Sequence, residues 1–199
     1  MLKPSMADNL LKSWVPGVIA WVVIYVSDYY CTIASARLYQ ETIKAHLEFE
    51  GSFELNPVFR ADIDRLRWVS PRFIVLLTLT SLMLVLYWYL SQFAPYLAFA
   101  YPALLGSFLL MECAIHMRHA RSLYQFRGIR RGGMTGQCFY KRGFVLRNTA
   151  FEMLSFGVLF LVIGMLQRSW FFAGGTFACT LTALKHWVLA RKHERAHAT

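Results

Sequence analysis

Long apolar runs alternate with short polar links along this chain. Apolar residues dominate from about Trp14 to Tyr39, Arg72 to Leu90, Tyr96 to Ile115, Thr149 to Leu166 and Trp170 to Leu189. These runs approach or exceed the ~20 residues that carry a helix across a bilayer. The pattern predicts an all-α, polytopic membrane protein of five transmembrane helices, a single integral membrane domain over the 199 residues. A helical extension of the first span to Glu50, stopped by Gly51, is also expected. Asn56-Pro57 and Ser70-Pro71 each place a capping side chain before a proline at the first helical position. The first opens a short interfacial helix, about residues 57–68, with Phe59, Ile63 and Leu66 on one stripe. The second opens span two. Pro102 falls in the first turns of span three, where it is tolerated.

Composition agrees. Hydrophobic residues make up 57% of the chain, and the mean hydropathy is +0.40, which is rare for a soluble domain. The formal net charge of +10 sits mainly between the apolar runs. No nucleic-acid motif accompanies it, so nucleic acid is not an expected partner. Residues 117–147 form the most basic link, with Arg118, Arg121, Arg127, Arg130, Arg131, Lys141, Arg142 and Arg147 and no acidic residue from 118 to 147. The positive-inside rule puts this link in the cytoplasm, which gives an N-out, C-in topology in a cell membrane, a prokaryotic inner membrane being expected. Cys31, Cys113, Cys138 and Cys179 are far apart and read as buried thiols, not as a disulfide frame or a zinc site. The first run passes into Asp28-Tyr29-Tyr30 without a small-residue cleavage site, so a transmembrane helix is expected there.

Ionisable residues inside apolar spans carry the candidate chemistry. A charge at that depth costs about 2.5–3.5 kcal/mol on insertion scales, and such residues pair, face a wet cavity or act in function. Asp28, Glu112, Glu152 and Lys185 are four of them. Counted at about 1.5 Å per residue, all four fall in the inner third of the core, one on each of four helices. A polar intramembrane site of Asp28, Thr32, Glu112, Glu152 and Lys185 follows if they face one interior. Asp28, Thr32 and Ser35 share one helical face, as do Glu112, His116 and His119. Carboxylate plus imidazole suits a divalent metal such as zinc, iron or manganese, with Asp28, Glu112 and His116 as candidate ligands. It suits a proton relay equally. The plainer readings stay open: Asp28 paired with Lys185 or Arg37, His116 and His119 as interfacial histidines, and Glu152 answering Arg147. The segment Gly128–Gly136, with Arg127, Arg130 and Arg131, is either an anion or lipid-headgroup site or a flexible loop of orientation charges. Gly174, Ala178 and Thr182 form a small-residue stripe suited to close helix contact.

Asp28-Tyr29-Tyr30-Cys31-Thr32 followed by Glu54-Leu55-Asn56-Pro57 resembles a pattern in a family of small uncharacterised prokaryotic multi-pass membrane proteins. There, an Asp-x3-Thr on the first helix precedes a Glu-x-Asn-Pro. The likeness covers the N-terminal third, with a long insertion from Tyr39 to Phe53. It implies membrane class and groups Asp28, Thr32, Glu54 and Asn56. Glu54 and Asn56, with His116 and His119, would then form a site at the cytoplasmic mouth, unless Asn56 only caps a helix.

No H-E-x-x-H, G-x-S-x-G or P-loop ending occurs. Three function classes remain: a protein that binds or transports a proton, a metal ion or a small polar solute; a membrane enzyme acting on a lipid or isoprenoid-type substrate; and a non-catalytic subunit of a larger complex. Anionic lipid headgroups are expected partners, and a homo-oligomer is possible for so short a chain.

Overall fold

The computed structural model describes residues 11–196. Helices α1 (Trp14–Glu41), α3 (Pro71–Phe93), α4 (Ala100–Gly128), α5 (Arg142–Gln167) and α6 (Trp170–Ala196) make up most of the chain, with a short α2 (Arg60–Asp64) between the first two. The fold is all-α and polytopic. α1, α3, α4 (with the 3-10 turn before it) and α5 are long and apolar enough to cross a membrane. α6 is long enough at 27 residues, but its second half carries Lys185, His186, Arg191 and Lys192. It packs against both α4 and α5, yet Phe177, Leu181, Leu184 and Val188 stay more than half exposed, so among the described residues four helices, not the expected five, are long and apolar enough to cross a membrane.

Packing runs from α5 to α6 to α4 to α1, and α3 closes against α1 and α4. The small-residue stripe predicted on α6 sets the α4–α6 distance. A Cβ on Gly174 would lie 1.8 Å from the Ala103 carbonyl oxygen. Ser107 donates from Oγ to the Gly174 carbonyl at 3.0 Å, and Thr182 Oγ1 lies 3.5 Å from Met111 Sδ. On the other side, Trp21 Nε1 donates to Thr80 Oγ1 at 2.9 Å, tying α1 to α3.

Three expectations about the links are corrected. The extension of the first span to Glu50 does not form. α1 ends at Glu41, a 3-10 turn covers Ile43–Ala45, and Leu47–Phe49 forms β1. β1 pairs in parallel with β2 (Cys138–Tyr140), Leu47 opposite Cys138. β-branched and aromatic residues in this stretch pack on α4 through Tyr39, Ile43, Leu47 and Phe126, and that burial outweighs helical propensity. The interfacial helix is shorter than 57–68. Asn56 caps the turn that leads into it, accepting from Val58 N at 3.2 Å, and Leu66 ends it at φ 50°. The basic link over 117–147 is mostly helix: α4 runs on to Gly128, a π-helical turn covers Ile129–Gly133, and α5 begins at Arg142.

Ser70 and Pro71 do open α3. The Ser70 hydroxyl accepts from Phe73 N at 3.4 Å and donates to Asp62 Oδ2 at 2.6 Å. Arg67 binds Asp62 Oδ1 at 3.0 Å. The Ser70 hydrogen bond, helped by the Arg67 charge, holds the Asp62 carboxyl below the ordinary carboxylate range.

Candidate intramembrane carboxylate and histidine site

α4 presents Glu112, His116 and His119 on one stripe towards α1, because i, i+4 and i+7 fall on one helical face. α1 answers with Ser27, Asp28 and Thr32. Ligand atoms of Asp28, Glu112 and His116 all lie within 4.8 Å of one another. His119 Nε2 lies 3.2 Å from Asp28 Oδ1 and 3.1 Å from Thr32 Oγ1. The Thr32 hydroxyl also reaches the Asp28 carbonyl at 3.0 Å. His116 Nδ1 sits 2.9 Å from the Glu112 carbonyl, and its Nε2 3.1 Å from Ser27 Oγ.

Satisfaction is incomplete. Glu112 is 5% exposed. Among the described residues, its Oε2 is buried without a hydrogen bond, and Asp28 Oδ1 is buried with the His119 ring beside it but out of hydrogen-bond geometry. A buried, unpaired carboxylate oxygen is costly, and the missing partner is supplied either by a proton or by a cation. Donors bonded to one ion at about 2.1 Å stand about 3.4 Å apart in a tetrahedral site. Atoms within 4.8 Å of one another therefore have to draw together by up to about 1.4 Å to share one ion.

Two predicted members stand elsewhere. Glu152 pairs with Arg121 at 3.0 Å; it answers neither Arg147, which pairs with Glu194, nor Asp28. Lys185 is exposed on α6, so it neither joins the site nor pairs with Asp28. The face of α6 towards its neighbours is fixed by Gly174, Cys179, Ala183 and His186, which turns position 185 outwards. Arg37 lies 4.0 Å from Glu41 and over the Trp68 ring. Cys179 is buried but Cys113 is exposed, so the four thiols do not share one environment.

Beyond His119 the stripe opens into a cavity of about 700 Å³ between the β1–β2 ladder, the 50–55 turn and the facing ends of α4 and α5. Glu54, Arg118, His119, Gln125, Arg142 and Asn148 are among its walls. Gly51 turns the chain at φ 82°, a conformation that favours glycine. A Cβ there would touch Arg142 Nη1 at 3.4 Å. Glu54 Oε1 accepts from Asn56 N at 2.6 Å. Burial pushes the Glu54 carboxyl above its ordinary value, against the Asn56 hydrogen bond and the Arg118 and His119 charges. It is near enough to Asp28 and His119 to act on both electrostatically. The Glu54-Leu55-Asn56-Pro57 turn thus lies under the mouth, with Asn56 as cap.

Arg118 and Arg142, expected as orientation charges of the basic link, are cavity walls. The signal was present: the stripe 112, 116, 119, 122, 126 continues past Ile115 without a break. Arg127, Arg130 and Arg131 are exposed and do not line the cavity. Comparison with family models, with curated proteins and with solved structures gave no match to this chain.

Proposed function

We propose that this integral membrane protein binds a divalent transition-metal ion through Asp28, Glu112 and His116, and exchanges it with one side of the membrane through the cavity beyond His119. Two carboxylates and an imidazole form a donor set for zinc, iron or manganese. The reading is carried by Glu112, whose buried Oε2 has no hydrogen bond among the described residues while its ligand atom converges with those of Asp28 and His116. Asp28 and Glu112 together in an apolar layer repel each other unless a cation or a proton joins them. His119 carries the connection outwards, since it contacts Asp28 and also forms part of the cavity wall. The basic segments around that cavity favour its facing the cytoplasm.

Metal content and isothermal titration of the purified chain with Zn²⁺, Mn²⁺ and Fe²⁺ test this. Saturable one-to-one binding, lost in Asp28→Asn and Glu112→Gln, is expected. Unchanged binding in both variants would overturn the site. A second reading, proton relay without metal, is favoured by the Asp28–His119 contact. It predicts no metal binding together with pH-driven proton uptake into vesicles containing the chain, abolished by Asp28→Asn.

A further inference from the structure

The cavity outside the carboxylate layer is lined by three arginines, Arg118, Arg121 and Arg142, and by two carboxylates, Glu50 and Glu54. Arg118 and Arg142 both line it, and among the described residues neither guanidinium has an ion pair or a side-chain hydrogen bond. Their closest competition is already engaged. Glu50 Oε2 accepts from the Arg142 backbone N at 2.7 Å and lies 3.2 Å from His193 Nε2. Glu54 is taken up by Asn56 N. Glu54 acts electrostatically on both guanidinium groups, and Glu50 and Asp64 on Arg142, but none of them pairs directly with either; two such groups beside Ser122, Gln125 and Asn148 are the chemistry that receives a phosphate.

The cavity also has a lateral continuation. Arg121 and Asn148 line it and line a second groove of about 340 Å³ as well. That groove runs along α5 past Phe151, Glu152 (whose charge Arg121 answers), Ser155, Phe156 and Leu159, on a helix apolar enough to span the membrane. Phe151 is 71% exposed and Leu159 50%, so the groove faces the hydrocarbon. A polar chamber that continues past one ion pair into a groove with an apolar far end at Phe156 and Leu159 has the shape of an amphiphile.

We propose that the cavity and its lateral groove bind one phosphate-bearing membrane amphiphile, its phosphate against Arg118 and Arg142 and its hydrocarbon chain along α5 between Arg121 and Leu159. The phosphate site is set apart from the metal centre: its polar walls come from the 50–55 turn, the C-terminal end of α4 and the start of α5, and of the groups near the metal centre it shares His119 but neither Asp28 nor Glu112. The arginines of this proposed site are the half-buried Arg118 and Arg142, whereas Arg127, Arg130 and Arg131 are exposed and outside the cavity.

The test uses the full chain in dodecyl maltoside with a chelator present, so that the metal centre plays no part. Dodecyl phosphate, inorganic phosphate and dodecyltrimethylammonium are titrated calorimetrically. Dodecyl phosphate is expected to bind saturably and at least tenfold more tightly than either of the others. The double variant Arg118→Gln with Arg142→Gln is expected to weaken it at least tenfold. Ser155→Trp, on the exposed groove face and away from the arginines, is expected to weaken dodecyl phosphate and leave inorganic phosphate unchanged. This variant decides the matter if the arginine pair is needed for folding. Inorganic phosphate binding as tightly as dodecyl phosphate would assign a soluble anion and overturn the proposal. So would equal binding of the cationic amphiphile, or indifference of dodecyl phosphate to Ser155→Trp.

Discussion

His119 Nε2 stands 3.2 Å from Asp28 Oδ1 across the α1–α4 contact, and His119 is only 6% exposed. This contact joins a carboxylate that lies within an apolar span to the polar cavity at the end of α4. Removing the ring leaves the Asp28 carboxylate without its nearest partner. His119→Gln is expected to cost about 1–3 kcal/mol, the penalty for a buried polar group left unsatisfied. Adding Asp28→Asn should recover part of it. Thermal unfolding of the two single variants and the double variant in one detergent gives the coupling; strictly additive losses would show that the two residues do not act as a pair.

Glu112→Gln separates stability from binding. In metal-free protein the substitution removes a buried carboxylate whose Oε2 makes no hydrogen bond among the described residues, so the unfolding free energy should hold or rise by up to about 1–3 kcal/mol. With metal at a hundred times its dissociation constant, the native chain gains about 2.7 kcal/mol by mass action, and the variant gains none. Unfolding midpoints with and without metal read both effects. A variant less stable than the native chain under both conditions, yet still stabilised by metal, would place Glu112 outside the site.

Asp62 supplies an acid limb to stability. The Ser70 hydroxyl, aided by Arg67, keeps its folded-state carboxyl below the ordinary range. A lowered folded value means that the contribution is fully present above the unfolded value of about 3.9 and fades as pH falls through the folded one. Asp62→Asn should therefore be less stable than the native chain at pH 7, with the gap narrowing below about pH 4. Unfolding curves at pH 7, 5 and 3 check the sign. A gap that widens on acidification would contradict it.

Two glycines on the structure's own evidence should respond oppositely. A Cβ at Gly174 meets the Ala103 carbonyl at 1.8 Å, whereas one at Gly128 meets nothing within 4 Å. Gly174→Leu must push α6 off α4, and a loss above about 4 kcal/mol, or failure to fold, is expected. Gly128 has helical φ −62° and ψ −49°, so Gly128→Ala should be neutral or stabilising by about 0.4–1 kcal/mol. Yield and midpoint after size-exclusion chromatography compare the two.

Much of the helical frame was legible because its cause is local. Ser70-Pro71 announces the start of α3, and the unbroken apolar runs announce α1, α3, α4 and α5. The stripe Glu112, His116, His119 also needed only helical spacing to be read, and Asp28 stood out because a carboxylate inside an apolar run is costly wherever that run packs. What failed depended on partners distant in sequence. Leu47–Phe49 reads as the tail of a helix until Cys138–Tyr140, some ninety positions later, supplies a strand beside it.

The chain by itself determined that helices cross a membrane and that Asp28 and Glu112 lie within them, because hydrophobic length and helical period are properties of adjacent residues. Only the tertiary structure decided which of the buried charges meet. Helix rotation is set by contacts such as Gly174 on Ala103, and these turn Lys185 outwards, send Glu152 to Arg121, and bring His119 of one helix onto Asp28 of another.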